Sequence, residues 1–189
     1  LAYGGAQEYY GITPDLAVYG KGLGAGYCIG AVAGREVIMS YLDPASPDGR
    51  RIYALGSFHG NPLSAAAAVA NLKELQKPGT YARLNDYGAR LRDGLAGIFD
   101  RYGLTAQMTG AGSIVEFFFM DEPISDYRST RRSNLGLKDL LGQALPGRGV
   151  FGGGGRFTSS TCHGDAELSL LLQAVDDSFQ AIREAGKLH

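Results

Sequence analysis

Two short segments carry residue types from which chemistry can be built. In Tyr19-Gly20-Lys21-Gly22-Leu23-Gly24-Ala25-Gly26, Lys21 is held between glycines, with no carboxylate within five residues on either side. An ammonium that is poorly solvated and unpaired has a lowered pKa, the condition for a nucleophilic amine that forms a Schiff base. The flanking glycines leave space for a bulky planar partner to reach it. The plain alternative is a turn lysine without chemistry. The other four lysines, Lys73, Lys77, Lys138 and Lys187, are expected on polar helix faces or at helix ends, as solvated charges.

The second segment is Gly56-Ser57-Phe58-His59-Gly60-Asn61-Pro62. A hydroxyl and glycine amides just before a helix N-terminus suit a phosphate, because the exposed N–H groups and the helix dipole both favour an anion. Capping of the helix alone is the competing reading. Cys28 and Cys162 lie far apart without a CxxC pattern, so neither a zinc site nor a disulfide framework is expected. Both are expected as buried free thiols of a reducing, cytoplasmic compartment.

The elements that must position these residues follow from pattern. Asn61-Pro62 reads as a helix start, Asn as N-cap and Pro at the first helical position, continuing through Ala65–Ala68, Leu72 and Leu75 until Pro78-Gly79. Before it, Leu16–Tyr19 and Cys28–Ala33 read as strands buried on both faces. No helix of crossover length separates them, so the parallel sheet they would join must be supplied elsewhere. A second amphipathic helix is expected over residues 81–102, on Leu84, Leu91, Leu95, Ile98 and Tyr102. A smaller α+β part follows Gly103: a strand over 113–120, a loop or helix entry over 126–134, a helix over 135–145 and a β-prone 157–162. A last helix, capped by Asp165 and closed by Gly186, carries Leu168, Leu171, Leu172, Val175, Phe179 and Ile182 on one stripe.

Composition bounds the alternatives. A chain of 189 residues with 44% hydrophobic side chains has core material for one sizeable domain or two small ones. Eighteen basic against nineteen acidic side chains give a net charge of -1, which argues against nucleic acid or an anionic membrane as partner. No apolar run approaches the roughly 20 residues of a membrane span, and the first residues do not read as a signal peptide. Twenty-nine glycines are about twice ordinary usage, which points to tight turns and close backbone approaches.

Taken together, Thr13-Pro14-Asp15-Leu16, Gly20-Lys21 through Gly26, and Gly56-Ser57 through Asn61-Pro62 resemble the class III pyridoxal-phosphate aminotransferases, closest in spelling to the glutamate-1-semialdehyde aminomutase-like members. The resemblance covers essentially the whole chain. It implies an α/β fold, the C-terminal part of a fold-type-I large domain (residues 1–80, with the start of a linking helix) followed by a small C-terminal α+β domain (residues 81–189). Lys21 would form the internal aldimine with pyridoxal 5'-phosphate and shuttle a proton between substrate and cofactor. Ser57 stands where the family usually has threonine and would bind the cofactor phosphate across a homodimer interface, with Gly56 keeping the backbone close. His163 matches a histidine that often precedes the final helix and is expected to be structural.

The family's phosphate-cupping glycine-serine segment, its ring-stacking aromatic and the aspartate on the pyridine nitrogen match positions before Leu1. The resemblance therefore implies a further N-terminal half, on the same or a separate polypeptide, without which the electron sink is poor. Gly152-Gly153-Gly154-Gly155-Arg156 also departs from the aminomutases. Arg156 there is a candidate for binding a substrate carboxylate, against the reading of a flexible glycine loop with a surface arginine. The expected substrate is an amino acid or keto acid. The rival readings are a non-catalytic remnant or partner subunit, and a racemase, epimerase or decarboxylase on the same fold.

Overall fold

The computed structural model describes residues 1–46, 49–152 and 154–188. They form two compact units, Ala2–Thr80 and Tyr81–His189 together with Leu1.

The first unit begins with a short helix α1, Gly5–Tyr10, closed by Gly11 at φ 65°. Strand β1 (Leu16–Tyr19) pairs antiparallel with β2 (Ala31–Gly34), Leu16 opposite Gly34 and Tyr19 opposite Ala31. Between them lies a single 3-10 turn, Lys21–Gly24. This is a two-stranded ribbon whose β2 is exposed along its length, so the burial on both faces expected of these strands is not provided by the described residues of this chain. A short helix α2 (Glu36–Met39) follows, and then α3 (Pro62–Leu75), a helix of 14 residues.

Helix α3 starts where the sequence placed it. Asn61 is the N-cap, its Oδ1 accepting from the Ser64 N–H at 3.0 Å, and Pro62 occupies the first turn, where its missing N–H costs nothing. The apolar interior of this unit is thin: Ala68 is its one buried hydrophobic residue among those described. Cys28 is exposed, and so is Cys162 in the second unit, which overturns the expectation of buried thiols. A thiol is buried only where a core exists to receive it, and Cys28 lies in a glycine-rich loop outside any.

The second unit contains that core. Helix α4 spans Thr80–Arg101, and a three-stranded antiparallel sheet, ordered β3-β4-β5, is built from Gln107–Thr109, Ile114–Phe118 and Arg156–Thr158. Between β4 and β5 come α5 (Tyr127–Thr130) and α6 (Leu135–Ala144); α7 (Asp165–Glu184) ends the fold. Leu91, Leu95, Ile98 and Phe99 of α4 meet Val115 and Phe117 of β4, Leu141 of α6, and Val175 and Phe179 of α7. The Phe99 ring lies 4.9 Å from Phe117, 5.3 Å from Phe119 and 5.9 Å from Phe179. Each such side chain contributes about 1.5–3 kcal/mol on burial. On β4 the alternation is strict, Val115 and Phe117 facing the core and Ile114, Glu116 and Phe118 the other way.

Small differences from pattern have local causes. The N-cap of α7 is Gly164, with Asp165 the first helical residue, because the Glu167 carboxylate reaches back to accept from the Gly164 N–H at 2.8 Å. The polar stretch 126–134 forms α5, since Asp126 accepts from the Ser129 N–H at 2.7 Å and Ser129 Oγ answers toward the Asp126 N–H.

Candidate functional site

The Lys21 turn is built by hydrogen bonds that close on themselves. The Leu23 N–H donates to Gly20 O at 3.1 Å and the Tyr27 N–H to Gly24 O at 2.9 Å. Lys21 itself has φ 49° and Ala25 φ 47°, the two non-glycine residues with positive φ among those described. A side chain in the left-handed region costs about 1–3 kcal/mol and persists only where its surroundings over-determine it. Asn71, in the third turn of α3, supplies part of that constraint. Its Nδ2 donates to Gly22 O at 2.6 Å and Leu23 O at 3.2 Å. Sequence reading did not single out Asn71; the signal available was a polar amide inside an otherwise alanine-rich helix.

The opposite end of the same helix forms a cleft. Gly56, Ser57, Phe58, His59, Gly60 and Asn61 make one wall, Cys28, Ile29 and Gly30 another, with Ser64 and Ala65 of α3 at the base, around a volume of about 530 Å³. A Cβ at Gly56 or Gly60 would meet nothing within 4 Å, so the space beside both glycines is open. Gly60 is at φ 68°, a value that glycine adopts without penalty. The arrangement is a hydroxyl and backbone amides at the start of a 14-residue helix, and it fits a phosphate group.

The structure does not bring every predicted residue together. Gly56 and Ser57 line this cleft, whereas Lys21 is not among its walls and its side chain is exposed. The expectation of a poorly solvated amine is therefore corrected: among the described residues Ala68 is the unit's buried hydrophobic one, and Lys21 is exposed. What the unit does provide is a common frame, because α3 opens the cleft at one end and holds the Lys21 turn through Asn71. The Pro14-Asp15 corner is fixed as well, Arg35 Nη1 meeting Asp15 Oδ1 at 3.0 Å across the ends of β1 and β2.

In the second unit Arg156, at the start of β5, lines a separate cleft of about 340 Å³ together with Tyr87, Phe151, His163 and Glu167. His163 accepts from the Ser160 N–H through Nδ1 at 3.3 Å, and its ring lies 5.9 Å from that of Tyr87. Burial, then the Glu167 charge, raise the Tyr87 pKa, so the phenol stays protonated over the physiological range.

The glycine segment before Arg156 is not slack. Gly153 lies outside the described residues, but a Cβ at Gly154 would stand 2.0 Å from the Lys138 carbonyl oxygen and 2.8 Å from the Gly142 nitrogen. Gly154 is glycine because α6 packs directly against its backbone, which replaces the flexible-loop reading. Lys138 departs from its expected solvated place too. Its side chain is 17% exposed and its Nζ lies 4.0 Å from the centre of the Phe118 ring. Burial lowers its pKa, partly opposed by Glu116.

Residues 4–145 match the family described as Aminotransferase class-III. The chain belongs to the class III aminotransferases. It is 36% identical over 188 residues to a glutamate-1-semialdehyde 2,1-aminomutase of Desulfotalea psychrophila, covering 98% of this chain and 43% of that protein. Among solved structures, an omega-transaminase from Sphaerobacter thermophilus is 32% identical with a TM-score of 0.89, over 96% of this chain and 42% of that one. A transaminase solved with PLP bound is 28% identical with a TM-score of 0.84, over 97% and 42%. The chain thus spans less than half the length of the relatives it matches, and over that span it has the mixed α/β architecture of the fold-type-I transaminases. No helix among the described residues is long and apolar enough to cross a membrane.

Proposed function

We propose that this chain is the C-terminal portion of a pyridoxal 5'-phosphate-dependent aminotransferase or aminomutase. Lys21 is its cofactor-binding lysine and Gly56 and Ser57 are part of its phosphate site. The observation that carries the reading is a lysine held at φ 49° in a turn braced by Asn71, on the helix whose N-terminus opens the Ser57 cleft. When bound, the cofactor supplies an aldehyde carbon through which an amino group is exchanged and a ring that delocalises charge. The transaminase solved with PLP and the named aminomutase relatives support that cofactor and that class of reaction.

The residues divide the work. Ser57 Oγ and the turn amides that are not already bonded within the turn would hold the phosphate, aided by the positive end of α3. Lys21 would hold the cofactor through its amine and would be the group that carries a proton at Nζ. Left-handed backbone at Lys21 sets the direction from which the amine leaves the turn. The desolvation that a reactive amine needs comes, on this reading, from the rest of the enzyme: an N-terminal half and the second subunit of a homodimer, in the cytoplasm. Residues 1–80 are the end of the large domain and 81–189 the small domain. Arg156 binds the carboxylate of an amino acid or keto acid through its planar guanidinium.

The test is borohydride trapping in the full-length enzyme. The wild-type protein should retain cofactor covalently on the peptide containing Lys21, and Lys21→Ala should lose all of it while still folding. Trapping on another lysine, or undiminished trapping in the variant, rejects the assignment.

A further inference from the structure

Arg156 has an acidic residue directly opposite it. In the β4–β5 ladder Glu116 is the antiparallel partner of Arg156, so the two side chains leave the same face of the sheet with Cβ atoms about 4.5–5.5 Å apart. Opposite charges in that position normally pair. Here Arg156 has no ion-pair partner among the described residues, and Glu116 lies with Lys138 instead, Oε1 to Nζ at 3.9 Å.

The Lys138 side chain is confined. It is 17% exposed against 33% for Glu116, its Nζ sits over the Phe118 ring at 4.0 Å, and Gly155 provides the space for its stem, a Cβ there falling within 1.8 Å of Lys138 Cε. The Phe117 N–H donates to Gly155 O at 2.9 Å, which fixes that glycine to β4. A cation is thus built in beside Glu116, at the cost of partly burying an ammonium. A lysine serving only as sheet packing would need no charge at that point.

We propose that Lys138 is a positioning residue for substrate recognition: it occupies the Glu116 carboxylate, leaving the Arg156 guanidinium free for the carboxylate of an incoming substrate. Without it, Glu116 turns to its cross-strand neighbour and competes with the ligand. This rests on the reading of Arg156 as the carboxylate-binding group, and the experiment separates the two.

The full-length holoenzyme is titrated with propanoate and, as the neutral control, propanol, followed by the change each causes in cofactor absorbance. Lys138→Met keeps the stem and removes the charge; it should weaken propanoate binding about tenfold, the scale of a lost hydrogen bond between charged groups. Propanol binding should stay unchanged. Adding Glu116→Gln to Lys138→Met should restore propanoate binding to within about twofold, a rescue that a packing defect would not show. Glu116→Gln alone, which keeps Lys138, should bind propanoate at least as tightly as wild type. Weakened binding in that single variant, or no rescue in the double variant, overturns the role of Lys138. If Arg156→Met leaves propanoate binding intact, or if the wild-type enzyme does not prefer propanoate to propanol, the reading of Arg156 itself fails.

Discussion

Residues 2–80 and residues 81–188 differ in almost every physical respect. Among the described residues, all buried hydrophobics but Ala68 lie in the second unit, while sixteen of the twenty exposed large hydrophobics, Val18 and Leu55 among them, lie in the first. One unit is organised around a core; the other is a set of turns and a ribbon held by hydrogen bonds and one helix. The unit with the weaker core carries Lys21 and the Ser57 cleft. That many exposed apolar side chains on one unit accord with the proposal that it is part of a large domain completed by other segments. The second unit carries the tight packing, and its proposed contribution to chemistry is an arginine at the start of one strand.

The largest effects that test this contrast are in the cores. Phe179 is fully buried and touches Phe99, Tyr102 and Phe119. Phe179→Ala should cost about 3–5 kcal/mol through lost transfer and the cavity left behind. Val18 is 81% exposed, and Val18→Ala should change the stability of this chain by under about 0.5 kcal/mol. Urea unfolding followed by circular dichroism measures both. Similar losses from the two substitutions would show that the first unit has a core of its own.

Glycines give a second, smaller contrast. Gly154 is pressed onto Lys138 and Gly142 of α6, whereas Gly56 borders open space. Gly154→Ala should destabilise by about 1–3 kcal/mol by forcing α6 away from the sheet, and Gly56→Ala should leave the unfolding midpoint nearly unchanged. A stable Gly154→Ala would mean that the loop yields, and that its close approach to α6 is not required.

Much of this was legible in the sequence, and the parts that were not have physical reasons. Helices declare themselves: Asn61-Pro62 and the stripes of α4 and α7 specify caps and faces through local chemistry, and they lie where the pattern put them. The family was equally legible: the resemblance drawn from Lys21 with its glycines and the 56–62 turn agrees with the family matched over residues 4–145. Burial was not. Leu16–Tyr19 and Cys28–Ala33 have the apolar composition of covered strands, but composition states what a segment tolerates and not whether a neighbour is present, and within this chain they are mostly exposed. The same limit applies to Lys21. Lys138 failed in the opposite sense: helical position suggested solvent, and only the fold places Phe118, Glu116 and Gly155 around it.

The helix caps give the finest contrast between the two units, because different N–H groups at the helix start are satisfied with different chemistry: that of Ser64, three residues in, by the Asn61 side chain, and that of the N-cap Gly164 by the Glu167 carboxylate. Asn61 caps α3 with a neutral amide oxygen, whereas α7 relies on the Glu167 carboxylate, whose pKa lies below the ordinary 4.5 chiefly because the Gly164 N–H bonds the charged form. A carboxyl group with a lowered folded-state pKa stabilises the fold above its unfolded value and loses that contribution as pH falls through the folded value. Asn61 has no proton to gain. Glu167→Gln retains an acceptor but not the charge, so its stability deficit should be full at neutral pH and should shrink as pH drops below 4.5, where the wild-type carboxylate is itself neutralised. Asn61→Ala, by comparison, should show a deficit of about 1 kcal/mol that does not vary over the same range. Urea unfolding of both variants across a pH series checks this; a pH-independent deficit for Glu167→Gln would mean that the cap works by shape alone and that the charge contributes nothing.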